Sequence, residues 1–168
     1  MSVAAAATII RSVMTAAHGK QVPLFPRREL GVLLHPTSLF GREDVGTLGR
    51  EAFAFVDWLE QAGVTLWQIL PLTPNGLHNS PYFSASAFAG NPWLVDLGIL
   101  RENGLLEGAV DAAAPRDARI PFAQLPETKL PLLLAAAENF LRRPDHPWQA
   151  AFRAFRASET WLDYTAHF

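Results

Sequence analysis

From Leu30 onward, short unbroken apolar runs alternate with a longer stretch of helical period. "GVLLHP" (31–36) is an apolar run opened by Gly31 and closed by Pro36, the pattern of a strand covered on both faces. "TSLFGREDVG" carries Gly41 and Gly46 with no apolar period and predicts a loop. From Thr47, "TLGREAFAFVDWLEQAG" sets Ala52, Phe55, Val56, Leu59 and Ala62 at helical spacing, with Thr47 as N-cap and Gly63 as the left-handed residue at the C-terminal end. Asp57 and Glu60 fall away from that stripe and read as solvated charges. "VTLWQILP" is a second buried-strand run, stopped by Pro71, and it begins about 33 residues after the first, the repeat of a right-handed βαβ unit. Two parallel strands with a helix across them are predicted, leaving an open sheet edge. Further on, "ETKLPLLLAAAENFLRR" and "HPWQAAFRAFRASETWLDYTAHF" read as helices with Leu, Trp and Phe stripes, and no third strand is evident.

Strand direction decides where chemistry can sit, because ligands of parallel α/β folds lie beyond the carboxyl ends of the strands. His35 to Gly46 leaves the first carboxyl end and Pro71 to Trp93 the second. The second loop contains "LHNSPYFSASAFAGNPW" (77–93), which combines aromatic faces with hydroxyls and amides and is held by Pro and Gly. That mixture suits a sugar ring, and it equally suits a plug packed over the strand ends. His35 suits either a sugar or proton contact or a satisfied structural donor under the loops. Glu43 and Asp44 are adjacent, so their carboxylates are not expected to converge. Trp67 is expected to pack, and Gln68, if buried, to need partners. Asn91 suits a sugar contact or the cap of its own turn before Pro92. His18, His78, His146 and His167 have no metal-ligand spacing, and neither metal nor other cofactor is expected.

The 168 residues suit one ordinary domain, and a net charge of −2 supplies no basic field for nucleic acid. Apolar runs are interrupted well before the ~18 residues of a membrane span. The absence of Cys excludes a disulfide framework and a thiolate nucleophile, and is compatible with a reducing cytoplasm. Residues 1–28 lack Asp and Glu and are rich in Ala, Ser and Thr, which reads as a poorly ordered leader or, alternatively, a plastid-type transit peptide.

The blocks "LLHPTSL", "LG.EA..FVD.L..AG", "WQ.LPL.P", "SPY.S.SAFAGNP" and "L.DL" occur in order between about Arg28 and Leu100. With them the chain resembles the N-terminal part of the amylomaltases, the 4-alpha-glucanotransferases or disproportionating enzymes of glycoside hydrolase family 77. The resemblance implies an α/β fold, the first two βα units of a (β/α)8 barrel (29–100) followed by a helical insertion (101–168). It implies transfer of α-1,4-glucan segments between malto-oligosaccharides by retaining double displacement, with an Asp nucleophile and a Glu acid/base. It also implies that Tyr82 packs on the sugar ring and that Ser80 lines the same donor side.

The departures carry consequences of their own. Where the family reads "GYGDSPY" this chain reads "GLHNSPY", so Leu77 replaces a tyrosine that offers an accessory glucan contact and Asn79 replaces an acid. "FGREDVGTLG" stands where the family has "PGPYGIGDLG", a charged turn for a compact one. A barrel needs ~250 residues and eight strands. The catalytic Asp and Glu of the resemblance are therefore expected on later strands, with none in this chain. Two classes follow: an N-terminal fragment of a glucanotransferase, or a non-catalytic glucan-binding module or gene remnant.

Overall fold

The computed structural model describes residues 28–108 and 119–165, so most of the predicted leader lies outside the described residues. Two strands and six α-helices follow in order: β1 (Gly31–Leu33), α1 (Arg50–Gln61), β2 (Leu66–Gln68), α2 (Leu97–Glu102), α3 (Leu125–Thr128), α4 (Leu130–Leu141), α5 (Gln149–Ser158) and α6 (Leu162–Thr165). Short 3-10 turns at Pro36–Ser38, Leu77–Asn79 and Pro92–Leu94 lie in the two loops that leave the strands.

β1 and β2 pair in parallel, with Val32 opposite Trp67 and Leu33 opposite Gln68. The crossover is the predicted helix. α1 presses Phe55 edge-on against Trp67, with ring centroids 5.0 Å apart, and the Trp67 indole N–H donates to the Leu34 carbonyl at 2.7 Å. This bond ties the strand ends together from the side-chain layer. Gly63 closes α1 at φ +71°, donating to the Glu60 carbonyl, after which Val64 donates back to Leu59.

Three expectations are corrected. Thr47 does not cap α1: Gly49 occupies that position, and the Thr47 hydroxyl instead donates to Asp96 Oδ2 at 2.6 Å. A carboxylate 49 positions away competes successfully with the local helix end. The helix stripe is narrower than predicted, with Ala52 and Leu59 buried, Phe55 half-buried, and Val56 and Ala62 exposed. The strands are not covered on both faces either, for Leu33 is 59% exposed and Gln68 lies open to solvent. The apolar run signals a parallel strand accurately. Coverage, however, depends on neighbouring layers, and among the described residues the sheet has two strands.

The packed centre sits in the helical half. Leu97, Leu105, Leu106 and Ala136 are buried together, with Leu100, Leu133, Phe140 and Trp148 against them. His146 is wedged edge-to-face between Phe140 and Trp148, and Gln149 seals the turn before α5 by donating to the carbonyls of Phe140 and Arg143. No helix among the described residues is long and apolar enough to cross a membrane.

Candidate functional site

The loop leaving β2 is built on its own backbone. At its base the Asn91 N–H donates to the Leu72 carbonyl at 2.9 Å, closing the segment between them. Asn91 is 4% exposed. Its Oδ1 accepts the Trp93 N–H at 3.0 Å, and its Nδ2 donates to Asn75 Oδ1 at 2.8 Å. Of the two roles read from the sequence, the structure displays the cap: both ends of the amide are engaged inside the loop.

The tip turns within a few residues. Gly76 donates to the Ser80 carbonyl at 3.1 Å, and the Phe83 N–H returns to that carbonyl at 3.3 Å. A β-carbon on Gly76 would stand 1.3 Å from the Phe83 oxygen, so only glycine lets the two backbone segments approach this closely. His78 and Asn79 both adopt left-handed backbone, at φ 57° and 59°. Such conformations cost side-chain-bearing residues energy and cluster at ligand sites. Ser80 is half-buried and its Oγ accepts the Tyr82 N–H at 3.3 Å. The Thr73 hydroxyl donates to the Pro81 carbonyl at 3.2 Å, bracing the same turn from within.

This scaffold presents aromatic surface rather than burying it. Tyr82 is 70% exposed, flanked by Phe83 at 69% and Leu77 at 67%. Ser80 and Tyr82 are brought together at the tip, while Asn91 sits at the base.

The first loop is stapled to the second. Lys129, between α3 and α4, donates from Nζ to Glu43 Oε2 at 2.6 Å and to the Trp93 carbonyl at 2.8 Å, and Glu43 Oε1 accepts the Leu97 N–H at 2.8 Å. Burial raises the Glu43 carboxyl above its ordinary range, opposed by the attraction and hydrogen bond of Lys129 and by the Leu97 amide. Asp44 faces solvent, so the adjacent carboxylates point to different environments. Sequence reasoning missed Lys129, which interrupts the apolar "KLPLLL" run and whose burial is set by a carboxylate 86 positions away. Among the described residues no three acidic or His side chains group as metal ligands.

A cleft of about 200 Å³ opens between the first loop and the start of α1, lined by Arg42, Glu51 and Asp96 among others. No aromatic ring lines it, and its charges are largely consumed internally, Arg50 pairing with Glu102 and Asp96 with Thr47.

His35, at the carboxyl end of β1, corrects the reading of a satisfied structural donor. Both ring nitrogens are buried without a hydrogen-bond partner among the described residues, and desolvation lowers the imidazole below its ordinary 6.5. A lowered folded value means that protonation favours the unfolded chain, so stability is lost as pH falls below 6.5. His35→Leu fills similar space without stranded polar atoms. It is expected to raise stability by about 1 kcal/mol at pH 7, with the gain widening toward pH 5 in urea melts. A loss at both pH values would show that the imidazole has a stabilising partner.

A family model described as 4-alpha-glucanotransferase, of glycoside hydrolase family 77, matches residues 34–168. A 4-alpha-glucanotransferase of Thermus thermophilus is 46% identical over 134 residues, covering 80% of this chain and 26% of the relative. A chloroplastic/amyloplastic 4-alpha-glucanotransferase of Solanum tuberosum is 38% identical over 149 residues, 84% of this chain and 26% of that one. A solved amylomaltase from Streptococcus agalactiae, in complex with acarbose, superimposes with a TM-score of 0.71 at 38% identity over 81% of this chain and 28% of its own. The chain thus spans about a quarter of the length of these relatives. With the family model matched over four-fifths of its length, the chain belongs to the 4-alpha-glucanotransferase family, glycoside hydrolase family 77.

Proposed function

We propose that this chain supplies the donor-sugar loop of a 4-alpha-glucanotransferase that moves α-1,4-glucan segments between malto-oligosaccharides. Residues 29–100 form the first two βα units of a (β/α)8 barrel and residues 101–168 a helical insertion beside its mouth. The reaction is a retaining double displacement. An Asp nucleophile and a Glu acid/base about 5 Å apart form and resolve a glycosyl-enzyme, with an acceptor sugar in place of water. Those carboxylates belong to later strands of the barrel, and the contribution of this chain is binding. Tyr82 packs its ring on the pyranose, Ser80 offers its hydroxyl on the same side, and Asn91 keeps the loop base in place for both. The cytoplasm is the proposed location, with a plastid as the alternative.

The observation that carries this reading is the exposure of Tyr82, at 70%, on a loop braced by hydrogen bonds at its base and tip. Tyr82, Phe83 and Leu77 lie open together beside hydroxyls and amides, a patch suited to the face of a sugar ring. The test grafts residues 34–168 onto the Thermus thermophilus relative in place of its matched quarter, and follows disproportionation of maltotriose. The graft is expected to transfer glucosyl units, whereas the 168-residue chain alone releases no glucose above a blank. In the graft, Tyr82→Ala is expected to lower kcat/KM about 30-fold, equivalent to about 2 kcal/mol, while Asp57→Ala, on the solvated face of α1, changes it less than about twofold. Equal losses from the two substitutions would overturn the assignment of Tyr82.

A further inference from the structure

Lys129 and Glu43 are separated by 86 positions, yet their side chains are 4% and 9% exposed and in direct contact. An apolar pair of similar volume would fill that space as well, and buried ion pairs are often no more stable than such replacements. What an apolar pair cannot do is bond in a direction. The Lys129 ammonium donates to the Trp93 carbonyl, the Trp93 N–H is held by Asn91 Oδ1, and Asn91 Nδ2 reaches Asn75 Oδ1. Gly76 follows, bonded to the Ser80 carbonyl. Polar contacts, joined through the backbone of Trp93 and of Asn75–Gly76, therefore lead from Lys129 to the turn that carries Tyr82. On the other side Glu43 grips the Leu97 N–H at the start of α2, so that both loops and the helical half meet at one pair.

We propose that Lys129, oriented by Glu43, is a positioning residue for the glucan-facing loop: it fixes the Trp93 end against the helical half and so keeps Tyr82 in one place. The inference rests on the glucan reading above, since only then does the place of Tyr82 matter. A purely cohesive role would stabilise the whole chain and leave the loop no more ordered than the rest.

Amide hydrogen exchange of the 168-residue chain separates the two roles. The variant is Glu43→Leu/Lys129→Met, which removes both buried charges together and leaves no uncompensated ion. Exchange at the Asn91 and Ser80 amides is expected to rise about tenfold, the order of one lost hydrogen bond, while Leu59 in the middle of α1 changes less than about twofold. Acarbose affinity, measured by tryptophan fluorescence, is expected to fall in parallel with the loop protection. Loop and α1 amides changing by the same factor would overturn the proposal, as would unchanged loop exchange. Tyr82→Ala tests the underlying reading separately. It is expected to abolish acarbose binding while Asn91 and Ser80 exchange as before; binding that survives this substitution would reject the glucan reading and leave the exchange result standing.

Discussion

Lys129→Met is expected to destabilise the chain by about 3–5 kcal/mol, the cost typical of leaving a buried carboxylate without its cation. Glu43 stays where it is, at 9% side-chain exposure, with the Leu97 N–H as its remaining partner among the contacts described and Asp96 still repelling it. Its carboxyl is already raised by burial in the native chain, and Lys129 is the main influence holding it down. Removing the ammonium drives it higher. A folded value above the unfolded one makes stability fall as pH rises through that interval, so between pH 5 and pH 8 the deficit relative to the native chain is expected to grow with pH. Adding Glu43→Leu is expected to restore most of the loss, because the stranded charge is then gone. Urea melts across that pH range decide the matter. A deficit that does not vary with pH, or a double variant as unstable as the single one, would show that Glu43 is not the group left exposed to the loss.

The elements that the sequence predicts well are those decided within a few residues. Gly63 terminates α1 because the left-handed turn it makes bonds back to Glu60, three positions away. Asn91 caps its own turn through Trp93, two positions on. The exposure of Tyr82 was not legible in the same way, since its stretch suits a buried plug equally well. The parallel pairing of β1 with β2 follows from two apolar runs one βαβ repeat apart.

What was illegible was decided at long range. The Thr47 hydroxyl had a local helix end available and chose Asp96, a preference set by the approach of the loop after Trp93 and invisible in the composition around Thr47. Lys129 lies in an apolar run and looks like an interruption of a helix stripe, yet it is among the most buried side chains described, because a carboxylate 86 positions away and a loop carbonyl neutralise the cost of burying it. The strand burial was misjudged for a complementary reason. An apolar run records what a strand is able to be covered by, whereas the exposure of Leu33 depends on which layers are present. The tight turns of the loop were thus readable, and the buried ionic support beneath them was not.

Gly76→Ala is expected to dismantle the tip of the loop leaving β2 while leaving the rest of the chain folded. The added methyl would meet the Phe83 carbonyl oxygen at 1.3 Å and its carbon at 2.3 Å, both backbone atoms that no rotamer change can move aside. Either the Gly76–Ser80 or the Ser80–Phe83 hydrogen bond has to open, and Tyr82 lies within the turn that the second of them closes. Overpacking of this kind typically costs about 1–3 kcal/mol. Here the cost falls on a loop whose opening need not unfold the helical half, where Leu97, Leu105 and Ala136 pack away from it. Glucan affinity is therefore expected to drop at least as far as in Tyr82→Ala, with little change in the main thermal transition. Gly90→Ala is the matched control in the same loop, since a β-carbon there meets nothing within 4 Å, and its acarbose titration should follow that of the native chain. If Gly76→Ala and Gly90→Ala titrate alike, the close approach of Gly76 to Phe83 is not what holds Tyr82 in place.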